Sequence, residues 1–277
     1  MLILSQVQNK MTLKILLILI LSPIYWLWAQ SHIAIYKDEG ITDFTLQHVS
    51  HALQQLDENF KISSVNADQI KNGFLETEAV DLLVIPGGAD RFYAKKLDGP
   101  GNQKIREFIK NGGSYLGLCA GGYYGTRRVV FDKGGKLEVI GDRELAFFKG
   151  QSIGPLHPYQ YGKFTGARAK TLMIKNHETI DAYYNGGCYF KPDPDFKDFE
   201  TLATYQSGKI AIVKMNFGRG RVALSGVHFE YDPEYFGQNA APDKNLNNIL
   251  KTLKQKNDQR KAFFRELVEY LLRKTKP

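Results

Sequence analysis

The sequence predicts an α/β protein built on a doubly wound, mostly parallel sheet, with a β-rich, loop-rich insertion late in the chain. Three observations carry that reading. Strand-like and helix-like stretches alternate from His32 to Gly125. Two of the strand-like runs, Asp81–Gly88 (DLLVIPGG) and Ser114–Cys119 (SYLGLC), are apolar on both faces, as a central parallel strand covered by helices must be. Both runs end in glycine-rich turns, and in such sheets the carboxyl ends of the strands are where ligands bind.

The elements follow in order. His32–Tyr36 (HIAIY) is a short apolar strand, and a helix is expected over 43–56. Lys61–Val65 is the second strand, followed by a short helix over 68–74 and the strand ending in Pro86-Gly87-Gly88. A helix over 102–110 is stopped by Asn111-Gly112-Gly113. SYLGLC then leads into a helix opened by AGGYYG. From Arg127 to Tyr205 the pattern is irregular and rich in Gly, Pro and Tyr, which suits hairpins and long loops rather than a separate domain. TLATY, KIAIVKMNF and GRGRVALSGVHFE restore regularity as an antiparallel hairpin running into a final strand. Amphipathic helices are expected over 243–255 and 261–274.

Ahead of this stands a segment different in kind. From Met11 the chain reads MTLKILLILILSPIYWLWAQS: a charged start, an apolar core and a small residue before Gln30. That order predicts a secretory signal peptide over residues 1–29, with Met11 as a possible true start and cleavage after Ala29. The protein is then exported, to the periplasm or medium, and residues 30–277 form one domain. The alternative is an uncleaved membrane anchor, although the apolar run is short beside the ~20 residues of a full span. The membrane is a partner only through this leader.

The composition, 43% hydrophobic and 24% charged over 277 residues, allows a sizeable core. The net charge of +8 is spread among acids, with no basic stripe interleaved with aromatics, so nucleic-acid binding is not expected. PGG lacks the GxGxxG pattern of a dinucleotide site. His48 and His51 stand at i and i+3 on the first helix, but no carboxylate or cysteine cluster accompanies them. They are read as helix surface, and no metal or organic cofactor is expected.

Of the two cysteines, Cys119 holds the chemistry. At a strand-to-helix turn its sulfur is lifted from the sheet and meets a helix amino end, where free N–H groups favour thiolate. Gly117, Gly121 and Gly122 relieve crowding at that turn. The Ala120 N–H, with Gly87 or Gly88 from the neighbouring strand end, could hold an oxyanion. Taken alone, a cysteine closing a buried strand is more often inert packing. The pair His228 and Glu230, in SGVHFEYD, shifts the balance. Separated by one residue of extended chain, they face the same way, as a base and its orienting carboxylate do. Tyr123, Tyr124 and His177 are candidate substrate contacts; Asn176-His177-Glu178 could edge the cleft but reads more readily as a turn. Tyr183, Tyr184 and Tyr189 suit either a pocket or packing. Cys188 is read as structural, although in an oxidising compartment it could pair with Cys119.

VIPGG, GLCAGG and GRVALSGVHFE resemble the landmarks of the class I glutamine amidotransferase-like superfamily. Within it, PGGADRFY, CAGGYYG, YNGGCYF and SGVHFEYD are similar to the biotin-protein ligase N-terminal domain family, over most of residues 32–235. That family has stand-alone bacterial members and forms the front of some eukaryotic ligases. The resemblance implies a flavodoxin-like core and a Cys119–His228–Glu230 triad, with Gly88 and Ala120 as oxyanion donors. Glutamine-using members carry Gln four positions after the nucleophile, where this chain has Tyr123. Gly218–Arg221 (GRGR) resembles a ligase biotin loop but lies in a hairpin, so ligase activity is not expected. The function expected is therefore cleavage or transfer of an amide-like acyl group from a small-molecule or peptide amide. The alternative is a silent binding module on the same fold.

Overall fold

A computed structural model describes residues 30–175 and 178–273. The leader and His177 lie outside the described residues.

The chain enters the sheet at β1 (His32–Tyr36) and crosses through α1 (Asp43–Leu56) to β2 (Lys61–Val65). It returns through α2 (Ala67–Lys71) and α3 (Phe74–Thr77) to β3 (Leu82–Ile85). Then come α4 (Asp90–Leu97), α5 (Pro100–Lys110), β4 (Ser114–Leu118) and α6 (Ala120–Tyr124). The late region supplies β5 (Thr126–Phe131), β6 (Val139–Asp142), β7 (Phe148–Gly154), β8 (Arg168–Met173), β9 (Thr179–Tyr184), β10 (Tyr189–Pro192) and β11 (Glu200–Tyr205). The hairpin β12 (Ile210–Phe217) and β13 (Gly220–Ser225) follows, then α7 (Pro233–Asn239), α8 (Lys244–Gln255) and α9 (Asn257–Leu271).

One sheet runs β2-β1-β3-β4-β13-β12-β10-β7-β5-β6, with β11, β8 and β9 branching from β12. Its doubly wound half, β2-β1-β3-β4-β13, is parallel throughout. The insertion adds mainly antiparallel strands to the same sheet. Side-chain alternation along the parallel strands divides the core into two layers. Ala34, Tyr36, Leu83, Ile85 and Tyr115 pack with Ile105 and Ile109 of α5. Ile33, Ile35, Leu82, Val84 and Leu116 pack with Val49 and Leu53 of α1 and Leu267 and Val268 of α9. Each such side chain is buried to 2% exposure or less apart from Leu267 at 4%, and each Val, Leu and Ile among them is worth about 1.5–3 kcal/mol of transfer free energy.

The helix starts have local causes. Thr42 accepts from the Thr45 N–H, Asn66 and Gln69 cap each other reciprocally, and Asp243 accepts from Leu246. The structure differs from the sequence expectation at several points. The helix expected over 68–74 is broken by Gly73, whose φ of 88° ends α2 and opens α3. Helices α4 and α7 were not anticipated. The face of α1 that carries His48 is not surface: His48 is 1% exposed and stacks on Tyr231 at 4.3 Å between ring centroids. Burial, then the neighbouring His228 and His51, drive its pKa down to about 3, so it is held neutral.

Candidate active site

β4 lies between β3 and β13 in parallel register, Gly117 opposite Ile85 and Leu118 opposite Ser225. The three carboxyl ends therefore open at one rim. Cys119 caps α6 there with φ 51° and ψ −104°, a left-handed-side conformation that costs an L-residue about 1–3 kcal/mol. Three hydrogen bonds impose it: Cys119 N–H to Ser225 O (2.9 Å), Gly121 N–H to Pro86 O (3.1 Å) and Tyr123 N–H to Cys119 O (2.9 Å). The glycines beyond the cysteine answer to backbone proximity. A Cβ at Gly121 would stand 1.9 Å from Ile85 O, and one at Gly122 would stand 2.3 Å from Ser225 O. Only glycine fits at those two positions between the strand ends.

His228 follows β13 and is pinned by a two-way backbone bridge with Tyr183, N–H to O at 2.8 and 3.2 Å. Its Nδ1 donates to Glu230 Oε1 at 2.7 Å. Glu230 is fully buried, and its Oε2 has no hydrogen-bond partner among the described residues. The hydrogen bond of the Cys119 sulfur goes to Asn185 O at 3.9 Å. A Cβ at Gly87 would stand 2.5 Å from His228 Cε1, 3.2 Å from Nε2 and 3.5 Å from Cys119 Cβ, so both side chains converge over that glycine. Burial opposes the imidazolium, but the Glu230 carboxylate and Cys119 outweigh it and raise the His228 pKa to about 10.

Above the sulfur lies a cavity of about 350 Å³. Cys119, 7% exposed, forms part of its floor, with Gly88 and Ala120 beside it. The Ala120 amide, first in its helix, belongs to the N–H groups a helix start leaves without an intrahelical acceptor. Gly87 lies under the imidazole instead of in the cavity wall. Tyr123 lines the cavity and donates to Gly186 O at 3.1 Å. Tyr124 corrects the expectation made for it. It is fully buried, its hydroxyl donates to Asn102 at 2.7 Å, and it is not among the lining residues. Tyr183 packs against His228 at 5.8 Å and Tyr184 donates to Gly187 O, while Tyr189 faces Lys209. Both cysteines are free thiols, and burial pushes the Cys188 thiol up. No group of three metal-ligating side chains occurs among the described residues.

Sequence reasoning did not find Asp90, Phe131, Leu137, Val139, Tyr159, Tyr161 or Asn185, which also line the cavity. Asp90 adjoins the PGG turn and had a local signal; the others come from the insertion, where spacing carries none.

The parallel half-sheet with helices on both faces is a glutamine amidotransferase-like fold. A solved structure described as a glutamine amidotransferase superposes with a TM-score of 0.52 at 16% identity, covering 72% of this chain and 90% of that one. Within that class, the family model "Biotin-protein ligase, N terminal" matches residues 31–276, and the chain belongs to that family. A protein of Chlamydia muridarum (strain MoPn / Nigg), described as uncharacterized, is 35% identical over 211 residues, 73% of this chain and 82% of that protein. The biotin–protein ligase of Schizosaccharomyces pombe (strain 972 / ATCC 24843) is 36% identical over 163 residues, 55% of this chain. This match spans only 26% of that ligase.

Proposed function

We propose that the protein is a cysteine-nucleophile amide hydrolase or acyl transferase working through a thioester. The Cys119 thiolate attacks the amide carbonyl carbon, and the negative charge gathers on oxygen facing the Ala120 and Gly88 amides. His228 delivers its proton to the leaving amine as the C–N bond breaks. Water, or an acceptor amine, then attacks the thioester; His228 takes the proton and the thiolate departs. Glu230 fixes the tautomer and stabilises the imidazolium throughout. The observation that carries this reading is the 2.7 Å His228–Glu230 contact in a buried site that also holds Cys119.

The test is alkylation of the purified protein by iodoacetamide near neutral pH. Cys119 is expected to react faster than a model thiol, and His228→Ala to slow it by about 10²-fold or more. Labelling at the model-thiol rate, indifferent to His228→Ala, overturns the proposal. One observation favours a second reading, a binding module without turnover: Tyr123 stands where glutamine-using members of the superfamily carry Gln. Turnover in an amide-substrate screen, abolished by Cys119→Ser, eliminates that reading.

We also propose that the protein is exported and that residues 1–29 are its leader. The support is the charged start, apolar core and Ala29 of the sequence. Sequencing the amino terminus of the protein recovered from its native source checks it: a chain beginning at Gln30 is expected, and one retaining the apolar segment refutes cleavage.

A further inference from the structure

The cavity over Cys119 is walled mainly by apolar groups, and its charges are already committed. Phe131 stands edge-on to Tyr123 at 5.7 Å and to Tyr159 at 5.7 Å, which makes one aromatic wall. Leu137 and Tyr161, 40% and 59% exposed, flank its mouth. Exposed aliphatic and aromatic side chains at the entrance of a cavity lined by such groups mark a ligand-binding surface.

The charged side chains among the described lining residues are Asp90 and Arg91. Asp90 is 9% exposed, and two nitrogens of Arg143 converge on its Oδ2, Nε at 2.9 Å and the second guanidinium nitrogen at 2.8 Å. The pair is neutral as a whole, so among the described lining residues no net negative charge is presented to an α-ammonium group. Arg91 lays its guanidinium over the Phe92 ring at 4.7 Å. A free amino acid such as glutamine would have to bury its ammonium against apolar wall with nothing to pair it, a heavy cost. An uncharged chain or ring replaces water there at a gain.

We infer that the amide taken by Cys119 carries an uncharged, apolar acyl group, alkyl or aryl, which lies against the Phe131–Tyr159 wall, and that amino-acid zwitterions are excluded. The inference rests on the reading of Cys119 as nucleophile. A cavity of about 350 Å³ holds an acyl group of about six carbons with room for the amide.

The test compares p-nitrophenyl acetate, p-nitrophenyl hexanoate and γ-glutamyl-p-nitroanilide. In the ester reactions the Cys119 thiolate forms the thioester C–S bond while the C–O bond breaks and p-nitrophenolate leaves. The hexanoate is expected to acylate the enzyme at least about tenfold faster than the acetate in kcat/KM. Leu137→Asp, at a loop position already part-exposed, is expected to lower the hexanoate kcat/KM at least about fivefold with circular dichroism unchanged. Equal rates for the two esters, or preference for the γ-glutamyl compound, overturn the inference while leaving the nucleophile reading intact. Should none of the three react, the nucleophile reading falls separately, and the cavity is read through thermal unfolding of the Cys119→Ser protein. A rise in Tm with hexanamide but not glutamine supports the apolar preference, and no rise with hexanamide refutes it.

Discussion

Glu230→Gln keeps the shape of the buried side chain and removes its charge. In the parent, Nδ1 of His228 and Oε1 of Glu230 are 2.7 Å apart and both residues are buried. With charge centres about 4 Å apart and an effective dielectric near 20, the pair is worth about 4 kcal/mol. At 1.36 kcal/mol per unit, that is about 3 pKa units. The imidazolium pKa, raised from 6.5 to about 10 in the parent, should therefore fall to about 7 in the variant. The sign for stability follows from the raised value. The contribution of His228 is fully present below 6.5 and is lost as the pH climbs toward about 10; without the carboxylate the loss is already complete near neutrality. The assay is an NMR titration of the His228 Cε1–H resonance in both proteins, with near-ultraviolet circular dichroism to show that the variant folds. At pH 8 the variant's imidazolium is depleted about tenfold, so alkylation of Cys119 should slow in step. A parent midpoint near 6.5, or the same midpoint in both proteins, refutes the reasoning.

Three further outcomes are expected. Gly87→Ala puts a methyl 2.5 Å from His228 Cε1 and displaces the imidazole from Cys119; alkylation should fall more than tenfold with a Tm change small by comparison, and an unchanged rate rejects that packing. Tyr124→Phe leaves Asn102 Oδ1 without its buried donor, which should cost about 1–3 kcal/mol in urea unfolding without altering alkylation of Cys119. His48, held neutral with a pKa near 3, makes the fold lose stability as the pH falls from 6.5, by up to about 1.4 kcal/mol per unit. His48→Leu should flatten the difference between urea midpoints at pH 7 and pH 5, and an equal difference in both proteins refutes the assignment.

The reading of the sheet from sequence rested on runs such as LLVI and SYLGL, whose neighbours on both faces are apolar wherever they sit. That Cys119 and His228 stand beyond adjacent strand ends was a condition the sequence left open, and the parallel pairing of β4 with β13 meets it. What escaped depends on partners distant in the chain. Tyr123 and Tyr124 are consecutive on a helix and so point about 100° apart, one into the cavity and one to α5. Nothing local distinguishes them. His48 and His51 have the spacing of a polar helix face, but Tyr231 and Phe236, nearly two hundred positions on, cover the first of them. The eight residues of α4 follow a PGG turn and were too few to declare a period. In the insertion, β5 and β7 pair in parallel while β7 and β10 pair antiparallel, with register shifts that no alternation in the sequence encodes.

The two cysteines make a comparison internal to the molecule. Cys188 is completely buried and burial raises its thiol pKa, the setting of a packing residue. Cys119 is almost as hidden, at 7%, yet its backbone is held at φ 51° and it converges over Gly87 with an imidazole backed by a buried carboxylate. A cysteine needed only to fill space has no use for that strain, which glycine would relieve at once. Nor does packing call for Glu230, a buried charge several kcal/mol dearer than an apolar replacement unless it is paired. Pairing here exhausts one oxygen and leaves the other without a partner. Both costs fall within one site and act on one sulfur. Stability alone accounts for neither, whereas the proposed nucleophile, alternating between thiolate and thioester beside a proton carrier, would account for both.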